Sequence, residues 1–103
     1  MEKPYVTNPA DEVQVKAARE KEKFGRDLEL SDMKFLLNTV QGRRVLWRYL
    51  KDCGIYQSSF RTSSEIYFLE GQRNIGLKIL ADIQEADAES YIKMMLENKK
   101  ERN

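Results

Sequence analysis

The 103-residue sequence contains no histidine. That absence removes the commonest general base, the usual nucleophile triads and the imidazole metal ligands together. A single cysteine, Cys53, excludes an intramolecular disulfide and a cysteine-rich metal site, and it fits assembly in a reducing cell interior. The only prolines, Pro4 and Pro9, both stand near the beginning. No apolar run approaches the roughly 20 residues needed to span a bilayer, and the opening Met-Glu-Lys-Pro-Tyr lacks the hydrophobic stretch of a signal peptide. An excess of one charge is missing too. Eighteen Lys and Arg against seventeen Asp and Glu leave a net charge of +1, where a dedicated nucleic-acid binder carries a clear basic excess.

What remains is a polar chain that can still build one modest core. Hydrophobic residues make up 41% and charged residues 34%, above the range of a wholly disordered chain. The length suits a single domain whose stability is marginal unless partners add to it. No strand alternation, repeat or low-complexity tract is visible, so punctuation and helical spacing carry the reading.

Residues 1–8 read as an extended arm. Asn8-Pro9-Ala10-Asp11 then forms a helix-start signal, with Asn8 as cap, Pro9 in the first helical position, and Asp11 and Glu12 at the positive dipole end. The first helix is expected from Pro9 to about Arg26, with a thin apolar stripe of Val13, Ala17, Phe24 and Leu28. Pairs such as Glu12–Lys16 support it only weakly. A helix with so little apolar face projects or packs on a partner. Gly25 weakens its end, and Ser31 or Asp32 restarts a helix carrying Met33, Leu36, Leu37 and Val40. Thr39 to Gly42 reads as a turn or break.

A third helix is expected from about Gln41 to Cys53, burying Val45, Leu46, Tyr49, Leu50 and Cys53. Gly54 is a left-handed stop, with Ile55 placed for the contact that accompanies such stops. The polar loop after it has one expected anchor, Phe60, and Thr62 with Glu65 fits a capping box. The fourth and longest helix, about Ser63 to Glu85, has the stripe Ile66, Leu69, Gly76, Leu80 and Ile83, widened by Phe68, Ile75, Leu77 and Ile79. Asp87 caps a last helix, Ala88 to about Lys99, with Ile92, Met95 and Leu96 inward. The fold expected is therefore all-α: a small bundle of about four to five helices with a projecting N-terminal helix and extended arm. Residues 1–30 form the arm and charged helix, and residues 31–103 the helical core domain.

Three constellations call for chemistry or contact. Arg43, Arg44, Trp47, Arg48 and Lys51 face away from the expected core on the third helix, and residues 31–64 carry +4. Trp and Arg are favoured interface anchors, and guanidinium groups can also meet phosphates; the plain alternative is a solvated face with Trp47 partly buried. An acidic protein surface fits this strip better than DNA, because the rest of the chain is net acidic. Secondly, Gly71 and Gly76 within a helix cost about 1 kcal/mol each relative to alanine, which calls for close approach of another helix. Arg73 beside them needs acceptors, with Glu70 or helix-end carbonyls available. Thirdly, Asp82, Glu85, Asp87 and Glu89 cluster near a helix junction. Caps and dipole partners explain them better than catalysis, since no base, nucleophile or oxyanion donor stands nearby. Cys53 reads as a small core thiol.

Gly42-Arg43-Arg44-Val45-Leu46, Leu50 to Tyr56, Phe60, and Glu70-Gly71-Gln72-Arg73-Asn74-Ile75-Gly76-Leu77 together resemble a family of small proteins from the structural-gene clusters of short-tailed bacteriophages. The similarity covers roughly residues 32–96. The resemblance implies a virion component near the portal, tail or ejection machinery. It is expected to be present in many copies around a symmetric assembly, in the virion and in the host cytoplasm during assembly. No enzyme activity, cofactor, metal or membrane contact is expected. The candidate partner-binding residues are Val13, Phe24, Leu28, Arg44, Trp47, Arg48 and Lys51. The rival readings are a small phage regulator that binds and inhibits a host protein, and an internal DNA-associated virion protein.

Overall fold

The computed structural model describes residues 9–61 and 63–99. These residues form three α-helices, α1 (Pro9–Leu37), α2 (Val40–Asp52) and α3 (Glu65–Glu97), and no strand occurs among them. The all-α class is as expected, but three helices replace the expected four to five. The expected arm at 1–8, the Asn8 cap and the Thr62 capping box lie outside the described residues.

The first difference is that α1 does not stop near Arg26. It runs unbroken through Gly25, Ser31 and Asp32, and through the boundary expected at residue 30. The reason is tertiary. Arg26 Nη2 donates to Asp82 Oδ1 at 2.9 Å and to Glu85 Oε1 at 3.0 Å on α3, while its Nη1 reaches Glu29 at 3.0 Å one turn on. The anchor follows directly on the glycine, so the roughly 1 kcal/mol that Gly25 costs the helix is offset one residue later.

The second difference is that α3 absorbs the last two expected helices. Asp87 nevertheless marks a break, with φ −166° and ψ 91° inside the helix. Its carboxylate accepts from Ser90 Oγ at 2.9 Å and from the backbone N–H groups of Ser90 and Glu89. That is N-capping, as expected of Asp87, performed at a kink rather than after a loop.

Between α1 and α2 the turn is only two residues. Thr39 caps α2, its Oγ1 accepting from Gly42 N at 2.9 Å. A Cβ at Gly42 would collide with the Leu36 carbonyl oxygen, so the two helix backbones meet this closely only because the residue is glycine. α2 ends as expected at Gly54, whose φ of 76° is left-handed, and Ile55 is buried behind it.

The core is small: Leu37, Leu46, Trp47, Leu50, Ile55, Ile83 and Met94. Met33, Cys53, Ile79, Leu80, Ala86, Tyr91 and Met95 pack around it. Each fully buried Leu, Ile or Met contributes about 1.5–3 kcal/mol. The start of α2 lies beside the end of α3, through Arg43 and Glu97. The end of α2 lies beside Gln72, whose Nε2 donates to Asp52 O at 2.8 Å. The two helices are therefore antiparallel. A Cβ on Gly76 would sit 2.5 Å from both Cys53 Cβ and Ile55 Cγ2. The close approach expected at Gly76 is thus real, but its neighbour is the turn closing α2 rather than a helix; at Gly71 the expectation fails, because the residue is exposed and a Cβ there would meet nothing within 4 Å.

Several inward assignments change. In α2, Val45 and Tyr49 are exposed, while Arg43 and Trp47 are buried. In α3, the stripe Ile66, Leu69, Gly76, Leu80 and Ile83 is buried or half-buried, but Phe68, Ile75 and Leu77 face outward. Past Asp87 the buried positions are Ser90, Met94 and Asn98, with Ile92 and Leu96 exposed. Ser90, Met94 and Asn98 continue the face of Ile83 at helical spacing, so the buried side carries across the kink, and Ile92 and Leu96 fall on the opposite side. Phe60 is exposed rather than an anchor. Tyr56 does the anchoring: it packs on the Trp47 ring, centroids 5.3 Å apart, and shares a 2.8 Å hydrogen bond with the Tyr91 hydroxyl.

Candidate interaction surface

The seven candidate contact residues fall into two groups that the fold treats differently. Val13, Phe24 and Leu28 stand in the open, 67%, 68% and 52% exposed. They belong to the part of α1 that leaves the core: from Pro9 to Gly25 every residue is exposed. Below it Arg26, Leu30, Met33 and Leu37 are half-buried or buried. At about 100° per residue, those four share one face. Val13, Ala17, Phe24 and Leu28 lie on roughly the opposite face. The apolar stripe of α1 is therefore not the stripe that holds α1 to the protein.

The long projection shows in the dimensions. The radius of gyration is 19.8 Å and the extents are 60 × 40 × 21 Å, whereas a compact domain of this length has a radius near 13 Å. The exposed half of α1 carries Ala, Glu, Lys and Arg, which hold a helix well without packing.

On α2, Arg44, Arg48 and Lys51 are exposed, and Arg48 lies over the Tyr49 ring, 5.5 Å from its centroid. Trp47 is a correction. It is 1% exposed, stacked on Tyr56 and enclosed in the core cluster. Its indole is a structural element of the bundle and does not join the arginines at the surface. The face of α2 turns by one position relative to expectation, because Arg43 takes a buried place.

Arg43, expected on the exposed basic face, is buried. Its Nε and Nη2 donate to Glu97 Oε1 and Oε2 at 2.9 and 2.7 Å, and its Nη1 donates to Leu37 O at 2.7 Å. One guanidinium thus ties the last carbonyl of α1 to the end of α3, a bidentate geometry that lysine cannot make. The hydrogen bonds from Arg43 hold the Glu97 carboxyl below its ordinary pKa, and Glu97 in turn raises that of Arg43. This leaves a shorter basic strip than the sequence promised.

Three of the four carboxylates near the α3 bend, Asp82, Glu85 and Asp87, are engaged structurally, and Glu89 is exposed. Glu85, then Asp82 and Glu29, raise the pKa of Arg26 above its ordinary value by accepting its hydrogen bonds. Ser90, through side chain and backbone, with the backbone of Glu89, lowers that of Asp87. No group of three His, Cys, Asp or Glu residues is placed to hold a metal ion among the described residues. Arg73 does not find the acceptor expected in Glu70: its enclosed Nε has no partner among the described residues. A shallow cavity of about 210 Å³ lies between the α2 end and α3, lined by Lys51, Cys53, Arg61, Leu69 and Gln72 among others. It is smaller than the roughly 300 Å³ at which small-molecule sites begin.

Sequence reasoning missed a large part of the open apolar surface. Phe35 is 77% exposed, and Tyr67, Phe68 and Ile75 line the first half of α3 in the open. Phe35 was legible in principle, since it continues the spacing of Ala17, Phe24 and Leu28. Phe68 and Ile75 were not, because a helix with apolar residues on two faces does not announce which one is covered.

The profile of the Bbp19-like phage proteins matches residues 33–96. The chain belongs to the Bbp19-like phage protein family. The match takes in the last turn of α1, all of α2 and nearly all of α3. No curated protein matches the chain, and no solved structure matches it. The family is thus that of a phage protein, and no described helix is long and apolar enough to cross a membrane.

Proposed function

We propose that this phage protein is a non-enzymatic component of the virion, part of the portal, tail or ejection assembly, acting through protein–protein contacts. One observation carries the reading. The helix α1 holds itself to the bundle with one face and leaves Val13, Ala17, Phe24 and Leu28 uncovered on the other. An apolar stripe on a projecting helix is stable in solution only at a cost, and burying Phe24 alone against a partner recovers about 1.5–3 kcal/mol. Arg44, Arg48 and Lys51 offer a second, polar contact suited to an acidic protein surface. Their number is too small for a DNA-tracking groove, and Arg43 is already committed to Glu97.

The function follows from geometry of this kind rather than from reacting groups. Of the carboxylates that cluster at the α3 bend, Asp82 and Glu85 are occupied by Arg26 and Asp87 by Ser90. The natural places of work are the virion and, during assembly, the host cytoplasm. The test is mass spectrometry of washed particles before and after genome ejection, with full-length chain and a version lacking residues 1–23. The full chain should be present and the shortened one absent. A chain missing from particles and recovered on a host protein would establish the regulator reading instead.

A further inference from the structure

The exposed stripe of α1 has an internal order that points to its occupant. From Ala17 to Phe35 the outward positions alternate in steps of four and three: Ala17, Lys21, Phe24, Leu28, Ser31, Phe35. Steps of four and three are the seam of a two-stranded coiled coil. All six residues are exposed, with Phe35 at 77%. The face lies opposite the buried and half-buried Arg26, Leu30, Met33 and Leu37, so a second helix can lie along it without displacing any of the described residues. Beside the seam, a Cβ on Gly25 would meet nothing within 4 Å. That glycine has no reason within the chain and leaves room for a close helix.

We propose that the seam is the interface with a second copy of this chain, the two α1 helices lying antiparallel. The direction follows from size and charge. In an antiparallel pair centred between Phe24 and Leu28, Phe24 of each copy meets Leu28 of the other, the large Phe35 meets the small Ala17, and Lys21 meets Ser31. On the flank, Glu20 comes beside Lys34 of the other copy. A parallel pair would set Lys21 against Lys21 and Phe35 against Phe35, leaving a hole at Ala17 and a like-charge contact in the seam. Asp27 would face its equivalent at the centre of the antiparallel flank, where Lys23 of the same chain, 3.5 Å away, offsets its charge. The seam from Ala17 to Phe35 is about 27 Å long. With four phenylalanine rings covered, the pair buries about 1,000 Å² in total, the threshold for a biological interface and the size of a weak, reversible one. This inference rests on the reading of α1 as a docking helix and names its partner.

The full chain should sediment at tens of micromolar with twice its 12.1 kDa mass. The Leu28→Glu variant should sediment as a monomer and, measured below the dimer concentration, melt as the wild type does, since the half-exposed Leu28 is not among the residues of the core cluster. Orientation is read by disulfide trapping in a Cys53→Ser background. Ala17→Cys chains mixed with Phe35→Cys chains should cross-link to each other, and Ala17→Cys alone should not. A monomeric wild-type chain overturns the proposal. So does a dimer that survives Leu28→Glu and is lost in Ile75→Glu, which would place the contact on α3. Self-linking of Ala17→Cys overturns the antiparallel arrangement. Particle incorporation is a separate readout: a monomeric chain that still enters particles would sink the pairing and leave the virion reading standing, while a dimer absent from particles would do the reverse.

Discussion

The two halves of α1 are one helix in two environments. From Pro9 to Gly25 no residue is covered, whereas from Arg26 to Leu37 every third or fourth residue is buried or half-buried. The second half is held by Arg26 on Asp82 and Glu85 and by Leu37 in the core. The first half has only helix propensity, local pairs such as those of the charged stretch, and continuation from an anchored turn. Extension of a formed helix costs far less than starting one, so the anchored half acts as nucleus for the open half. A stretch can therefore be regular in structure and still contribute almost nothing to the stability of its own domain. The family match begins at residue 33, on the anchored side of that divide.

The largest effect that would break this contrast is in the core. Trp47→Ala should destabilise by about 3–5 kcal/mol, enough to unfold a marginal chain, because the indole is 1% exposed and stacked on Tyr56. A melting midpoint within a degree or two of wild type would return Trp47 to the surface and to the contact residues. Gly76→Leu should cost about 1–3 kcal/mol by overpacking, since even a Cβ there approaches Cys53 and Ile55 to 2.5 Å. An unchanged thermal melt would show that the α2 turn can give way.

A milder perturbation is acid. Glu97 and Asp87 have lowered folded-state pKa values. Their contribution is therefore full above the ordinary carboxylate values of about 4 and is lost as pH falls through the depressed folded ones. The melting midpoint should be flat from pH 7 to about 5 and then fall by a few degrees toward pH 3. Arg43→Met should remove the Glu97 part of that slope. A wild-type profile flat to pH 3 would mean that these carboxylates do not bind to their partners in solution.

The smallest expected effect sharpens the comparison most. Removing residues 1–23 should change stability by no more than about 0.5 kcal/mol, the range of surface changes, measured below the dimer concentration. Removing residues 1–30 should do more, because it takes away Arg26 and Leu30. Equal melts for the two truncations would show that the Arg26 anchor is dispensable.

Much of this was legible in the chain. Gly54 as a stop, Asp87 as a cap, Gly76 as a close approach and the α3 stripe from Ile66 to Ile83 each followed from one residue's chemistry. The Val13, Ala17, Phe24 and Leu28 stripe was visible from spacing alone. Trp47 and Arg43 were not legible: both sit among arginines in the sequence, and burial of an arginine depends on an acceptor, Glu97, 54 residues away. The continuity of α1 was hidden for the same reason, since Gly25 argues locally for a stop and the answer lies on α3.

By itself the sequence determined the all-α class, the turn at Gly54, the cap at Asp87 and the lack of histidine chemistry, because each depends on a residue's own conformational and acid–base properties. Only the tertiary structure decided which of two apolar faces each helix covers, that Arg43 is spent inside, and that α1 holds on with one side and leaves the other free. Those outcomes depend on partners distant in the chain. A helix with apolar residues on two sides carries no local mark of which side will meet them.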